Sequence, residues 1–190
     1  NRAPFVFVEI FGGSWGGRPD RDGIDGISHP VLNQRNIPAE IMEAENPVEL
    51  VRYGFVPDTG GAGKYRGGFG IVKDYRILNS AAEFTTDINR AVIPPWPMEN
   101  GGPGTLNAIW IQTEGAPAEH VRKTSARQLS QNDVISIRTG SGAGWGSPLD
   151  RDPNRVLRDV EGLCETQRGN TFRKQRVGMR VFFEAFLQFQ

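Results

Sequence analysis

Apolar residues in this chain come in short runs broken by glycine and proline. Phe5 to Phe11 is apolar apart from Glu9 and reads as a buried strand. Ala39 to Glu45 reads as a strand or a short helix. Val48 to Val56 and Ile71 to Leu78 read as two strands, the second interrupted by Lys73, Asp74 and Arg76. The stretch between them is too long for a two-residue hairpin turn. Leu106 to Gln112 and the alternating Val134 to Arg138 predict two more strands. Ala81 to Asn100 gives no clear periodicity. Within it Pro94, Pro95 and Pro97 exclude helix and central strand, and predict a rigid extended segment presenting Trp96. Asp152-Pro153 starts a helix, with Asp as cap and Pro at the first helical position, where no hydrogen bond is lost. Val156, Leu157, Val160 and Leu163 give that helix one apolar face, and Gly162 predicts its end. The expected fold class is α+β, mainly β: short strands joined by glycine-rich loops, with one amphipathic helix near the C-terminus.

Four glycine clusters punctuate the runs, at residues 12–17, 57–70, 101–104 and 139–146. The second, Pro57 to Gly70, holds six glycines in fourteen positions together with Asp58, Lys64, Tyr65 and Arg66. Glycine reaches backbone angles that strain other residues, and it lets a second backbone or a ligand come close. The stretch is therefore either a ligand loop or a tight corner. Gly60, Gly61, Gly63, Gly67 and Gly68 are its structural positions.

Composition narrows the class. Of 190 residues, 22 are Lys or Arg and 22 are Asp or Glu, so net charge is zero and electrostatics give no case for nucleic acid or an acidic membrane. Hydrophobic residues make up 37%, while 24 glycines and 13 prolines favour strands and turns over long helices. A single cysteine, Cys164, forbids a disulfide within the chain and fits a reducing, cytoplasmic setting. No stretch has the run of apolar residues that a membrane span requires, and there is no signal-peptide pattern. The chain starts at Asn1 rather than Met and enters an apolar run at once, which reads as a processed chain or a piece of a longer one.

The clusters fail the common phosphate motifs. Gly63-Lys64 supplies the last two positions of a phosphate-binding loop, but Asp58 stands where its first glycine belongs and Tyr65 replaces the metal-binding hydroxyl. A dinucleotide fingerprint begun at Gly61 would need glycine at Arg66; one begun at Gly140 would need it at Trp145. No cluster leads promptly into a helix N-terminus that could receive an anion. The acidic run Asp20 to Gly26 breaks the EF-hand pattern at Ile24 and Val31 and reads as a polar turn. His29 and His120 lie far apart, with no spacing that predicts zinc. His120 reads as a surface residue, His29 as part of a structural loop, and Cys164 as an inert buried thiol. No metal site and no complete catalytic set is predicted.

Several words resemble the hydantoinase B family, the B-type subunit or region of hydantoinases, 5-oxoprolinases and related acetone carboxylases. They are Gly13-Ser14-Trp15-Gly16-Gly17-Arg18 with Asp22-Gly23; Asn36-Ile37-Pro38-Ala39-Glu40; the whole of Pro57 to Gly68; Pro95-Trp96 with Gly101 to Gly104; and the fourth cluster followed by Pro148, Arg151, Asp152-Pro153, Val156-Leu157 and Asp159-Val160. The family has Thr where Ile37 stands and Gly where Pro97 stands, and Asp87-Ile88-Asn89-Arg90 replaces an adjacent acid–arginine pair. The match covers about Gly12 to Leu163, the C-terminal portion of such proteins, so residues 1–163 are expected to be that portion and 164–190 a divergent tail. For the apolar and basic tail the alternatives are a faulty reading frame and an amphipathic contact helix.

The resemblance implies an α+β part of an ATP-dependent cyclic-amide hydrolase that opens a lactam or imide ring. It implies an A-type partner that binds ATP and phosphorylates the amide. ATP with Mg²⁺, and optionally a further divalent metal, belongs to the complete enzyme and none of these to this chain. Proposed metal-binding residues of the family lie upstream of this portion. Asp58 and Arg66 become candidates for substrate binding, Asp58 orienting a donor and Arg66 clamping a carboxylate; the competing reading of both is an ion pair that pins the loop. Other readings of the chain are a non-catalytic assembly module, a carboxylase subunit of the acetone carboxylase type, and a β-rich binder with Trp15, Trp96 and Trp145 around a pocket.

Overall fold

The structure is a computed structural model that describes residues 5–27 and 35–169, with side chains described through residue 162. The chain forms two compact units, Asn1–Arg151 and Asp152–Gln190. His29, the Cys164 side chain and the tail beyond residue 169 lie outside the described residues.

Among the described residues, the first unit is built on seven strands and one short α-helix. They are α1 (Ala39–Glu45), β1 (Val48–Phe55), β2 (Ile71–Ile77), β3 (Ala81–Thr86), β4 (Ala108–Gln112), β5 (Glu119–Val121), β6 (Thr124–Ser130) and β7 (Val134–Arg138). Five of them form an antiparallel sheet in the order β1-β2-β7-β4-β5, and β3 pairs with β6 in a separate two-stranded ladder. The mainly β class predicted from the short apolar runs is what forms. Ala39–Glu45 resolves as helix; Pro38, which lacks an N–H to lose, precedes its first turn. The β1 and β2 runs are antiparallel neighbours joined by the long glycine loop, as expected.

Strand alternation sorts side chains to two faces of the sheet. On the inner face, Ile77, Ile109, Ile111 and Ile135 pack with Met42 of α1 and Leu129 of β6. Ile109 is only 1% exposed, and burial of such a side chain contributes about 2 kcal/mol. The β3–β6 ladder closes this side with Leu129, Ala82 and Phe84.

Phe5 to Phe11 corrects the sequence reading. It is extended but joins neither sheet, and it is not buried throughout. Phe7 and Phe11 pack on the core and stand edge-on to Tyr75, at centroid distances of 5.9 and 6.4 Å. Val6 and Val8, pointing the other way, are 88% and 73% exposed. Glu9 explains the polar interruption. Its carboxylate takes an ion pair from Lys73 Nζ and accepts the Tyr75 hydroxyl hydrogen bond. Lys73 is itself buried, with Phe11 and Tyr53 ring centroids 5.0 and 4.7 Å from its ammonium and Asn36 Oδ1 at 3.4 Å. Burial, and then the Glu9 carboxylate, hold the Tyr75 phenol well above its ordinary pKa. A buried ammonium and a buried carboxylate satisfy each other, and the pair ties the leading segment to β2.

The helix predicted from Asp152-Pro153 is α2 (Pro153–Gly169), in the second unit. Asp152 caps it, its Oδ1 accepting from the Asn154 amide at 2.9 Å. Gly162 does not end it; the helix runs on to Gly169, since one glycine costs only about 1 kcal/mol inside a helix.

Candidate functional site

The four glycine clusters assemble into one body at one end of the sheet. Their backbones cross-link directly. Gly17 N donates to Ala143 O at 2.7 Å, Gly61 N to Gly142 O at 2.9 Å, and Gly68 N to Trp15 O at 2.8 Å. Gly102 N donates to Ala62 O at 2.6 Å, and Gly144 N to Gly102 O at 2.9 Å. Tyr65 and Trp145 exchange both their backbone bonds, at 3.0 and 2.9 Å, and their rings lie 6.0 Å apart.

At most positions of these clusters glycine is needed for closeness; Gly146, at φ 74°, is the left-handed one. A Cβ added to Gly142 would fall 1.9 Å from Trp15 O, one on Gly144 1.9 Å from Ala62 O, and one on Gly67 1.9 Å from Gly142 O. Gly60, Gly61, Gly63 and Gly68 are similarly closed, each with backbone atoms 2.3 to 2.8 Å from the missing Cβ. Gly146 apart, none of these glycines has a left-handed backbone. Between Pro57 and Gly70 the left-handed residue is Asp58, at φ 56°, a conformation short polar side chains tolerate.

Eight of the loop's amides, those of Gly61 and of Lys64 through Gly70, are engaged within the chain. Lys64 N donates to Gly146 O and Gly67 N to Gly61 O, beside the bonds of Gly61, Tyr65 and Gly68. Arg66 N donates to Asp22 Oδ1 at 2.8 Å, Phe69 N to Asp25 Oδ1 at 2.8 Å, and Gly70 N to Thr59 Oγ1 at 2.9 Å. A phosphate cradle needs such N–H groups pointing at the ligand. This loop points those eight at its own chain, which leaves them unavailable to a phosphate. Among the described residues no group of three His, Cys, Asp or Glu side chains is placed to hold a metal ion.

The acidic turn after the first cluster supplies the charges that lock the body. Asp22 and Arg151 form a bidentate pair, Nη1–Oδ1 2.7 Å and Nη2–Oδ2 3.0 Å. Arg151 Nη1 also donates to Lys64 O at 3.0 Å. Burial by itself would raise the Asp22 pKa; the hydrogen bonds and charge of Arg151 and the Arg66 amide outweigh it and hold the carboxyl below its ordinary value. Asp25 takes Arg66 in the same two-pronged way, at 2.9 and 3.2 Å, while that guanidinium lies 4.1 Å from the Phe69 ring centroid. Arg66 is thus bound to Asp25, while Asp58 lies exposed at the mouth of the loop with no hydrogen bond or ion pair among the described residues.

Sequence reasoning singles out Asp58 and Arg66 but reads Asp22 and Asp25 only as a polar turn. Their partners are 129 and 41 residues away, a distance no local pattern bridges. The one signal is that Asp22-Gly23 and Arg151 both fall inside the words shared with the family. His120 is exposed, as expected, with its ring 5.1 Å from that of Trp110. Trp96 is 65% exposed beneath the Arg90 guanidinium, 4.6 Å from its ring centroid. Trp15 lies under Arg18, and Trp145 against Tyr65.

Comparison with known proteins agrees with this core. The family model described as hydantoinase B/oxoprolinase matches residues 1–148. A Methanocaldococcus jannaschii protein of uncharacterised function is 37% identical over 157 residues, covering 83% of this chain and 28% of its own length. A Pseudomonas protein described as the B-type component of a D-/L-hydantoinase is 30% identical over 162 residues, covering 84% of this chain and 27% of its own. The crystal structure of the ATP-dependent caprolactamase of Pseudomonas jessenii superposes with a TM-score of 0.67 at 19% identity, covering 82% of this chain and 28% of that one. The chain therefore spans about a quarter of the length of these two relatives. Over the residues that build the glycine body and the sheet beside it, this chain belongs to the hydantoinase B/oxoprolinase family.

Proposed function

We propose that this chain forms part of a B-type region in an ATP-dependent cyclic-amide hydrolase of the 5-oxoprolinase or hydantoinase kind. The observation that carries the reading is the family match across residues 1–148. In this reading an A-type partner binds ATP with Mg²⁺ and activates the amide, and the B-type region completes ring opening. The occupied amides of Gly61 and of Lys64 to Gly70 support a division of labour in which nucleotide sits elsewhere. The chain by itself is inactive and cytoplasmic in this account, with residues 1–163 serving as the B-type portion. Asp58 offers an exposed carboxylate to a ligand's donor. Arg66 would reach a substrate carboxylate only by exchanging it for Asp25.

The test is the complete B-type protein containing this chain, mixed with its A-type partner and ATP and assayed on 5-oxoproline, hydantoin and caprolactam. Opening of at least one ring with consumption of ATP is expected. Failure on all three overturns the reading, and bicarbonate-dependent carboxylation in their place would assign the chain to the carboxylase branch.

A further inference from the structure

The outer face of the five-stranded sheet carries a row that crosses every strand. Register sets Arg52 opposite Asp74, Asp74 opposite Ser136, Ser136 opposite Trp110, and Trp110 opposite His120. Arg138 lies two positions along β7 on the same face, its guanidinium 4.6 Å from the Trp110 ring centroid. Cross-strand neighbours on one face are close enough to act together.

The charges in this row do not balance. Asp74 is paired with Arg52 at 2.9 Å, and the next outward row has its own pair, Arg76 with Glu49 at 2.6 Å. Arg138 has no hydrogen bond or ion pair from its side chain among the described residues. Among the described residues of this row, two guanidinium groups, of Arg52 and Arg138, stand beside one carboxylate, that of Asp74, on a partly buried surface. Burial, and then repulsion from Arg52, lower the Arg138 pKa, while Asp74 pulls the other way. Arg138 Nε, Ser136 Oγ and Asp74 Oδ1 are all buried without a hydrogen-bond partner among the described residues. Such atoms are uncommon in folded proteins, and three on one patch of sheet point to a missing group. Guanidinium, with its fork of donors, is best completed by a carboxylate. Stacking on Trp110 holds Arg138 in place before any ligand arrives, and the tilted Trp110–His120 pair offers a flat apolar neighbour for a ring.

We infer that Arg138, Ser136 and Trp110 form a binding site for a small, flat, carboxylate-bearing ring, with Arg138 holding the carboxylate. The class rests on the lactam-hydrolase reading above, in which 5-oxoproline is the candidate that carries a carboxylate and hydantoin and caprolactam carry none.

The experiment follows the ¹⁵N indole signal of Trp110, assigned with W110F, while the chain is titrated with 5-oxoproline. The comparison probes are 2-pyrrolidinone, the same lactam without a carboxylate, and phosphate. Saturable shifts with 5-oxoproline, and binding at least about tenfold weaker for 2-pyrrolidinone, are expected from loss of a charge-assisted bidentate contact. Phosphate is expected to bind more weakly than 5-oxoproline, because Asp74 repels a dianion. R138M should abolish the shift in a chain that melts like the original. If R138M does not fold, R138K keeps the charge but loses the fork and should bind at least severalfold more weakly. Equal binding of both lactams, tighter binding of phosphate, or affinity unchanged by the Arg138 variant overturns the site. In the complete enzyme R138M should raise KM for 5-oxoproline about tenfold and raise KM for hydantoin by less. Turnover of 5-oxoproline with that KM unmoved would sink this site and leave the proposed function standing. Carboxylate-dependent binding with no lactam opened would do the reverse.

Discussion

Asp22 and Arg151 hold each other through two hydrogen bonds of 2.7 and 3.0 Å across 129 residues of sequence. The pair joins the turn after the first glycine cluster to the last residue of the first unit. Arg151 is nearly buried and Asp22 keeps about a quarter of its side-chain surface. Asp22→Asn would leave that guanidinium without its counter-charge, at a cost of about 3 kcal/mol in a urea melt. The pH dependence has a definite sign. The folded-state pKa of Asp22 is depressed, so its stabilisation is complete above the unfolded value of about 4 and disappears as pH falls through the folded one. The original chain should lose stability in acid more steeply than D22N below about pH 4. Parallel acid slopes would contradict the pairing.

The glycine body should be intolerant of a single methyl group. Gly142→Ala and Gly144→Ala each place a Cβ 1.9 Å from a carbonyl oxygen, which only backbone displacement can relieve. Each should cost at least about 3 kcal/mol or prevent folding. Gly162→Ala, with open space around it in α2, should be neutral or stabilising by up to about 1 kcal/mol. Thermal melts of the three variants check the contrast.

Glu9 and Lys73 make a separable prediction about the leading segment. Glu9→Gln strands a buried ammonium and should destabilise by about 3 kcal/mol, with faster amide exchange confined first to residues 5–11. Adding Lys73→Met removes the stranded charge, while the glutamine oxygen still accepts from Tyr75. The double variant should therefore recover much of the loss.

Arg66 tests the loop's double reading. Arg66→Lys loses both the fork to Asp25 and the stacking on Phe69. A stability loss of about 1–2 kcal/mol is expected. If Arg66 also serves as a clamp, KM of the complete enzyme rises beyond what the melt explains; unchanged turnover and unchanged KM would remove it from the site.

What the sequence reveals follows from the range of the forces involved. Apolar runs mark β1, β2, β4 and β7, and the Asp152-Pro153 start marks α2, because those signals are local. The sequence Thr124 to Ser130 has Leu129 as its one large apolar residue and is silent as a strand; β6 forms because Leu129 reaches the core and β3 supplies the ladder. Phe5 to Phe11 reads as wholly buried because apolar content hides which face each residue takes. The clusters are visible as glycine, yet their mutual packing is not, because the contacts are between backbones that carry no sequence signature. Expectation also assigns glycine its conformational freedom, whereas Asp58 takes the left-handed position in the loop.

The central claim is that this glycine-locked body acts only as part of a larger, ATP-dependent pair. The most direct measurement is ring opening of 5-oxoproline and hydantoin by this chain alone, with ATP and Mg²⁺, beside the complete B-type protein with its A-type partner. The account predicts no product from the isolated chain and ATP-dependent product from the pair. Turnover by the isolated chain would contradict it.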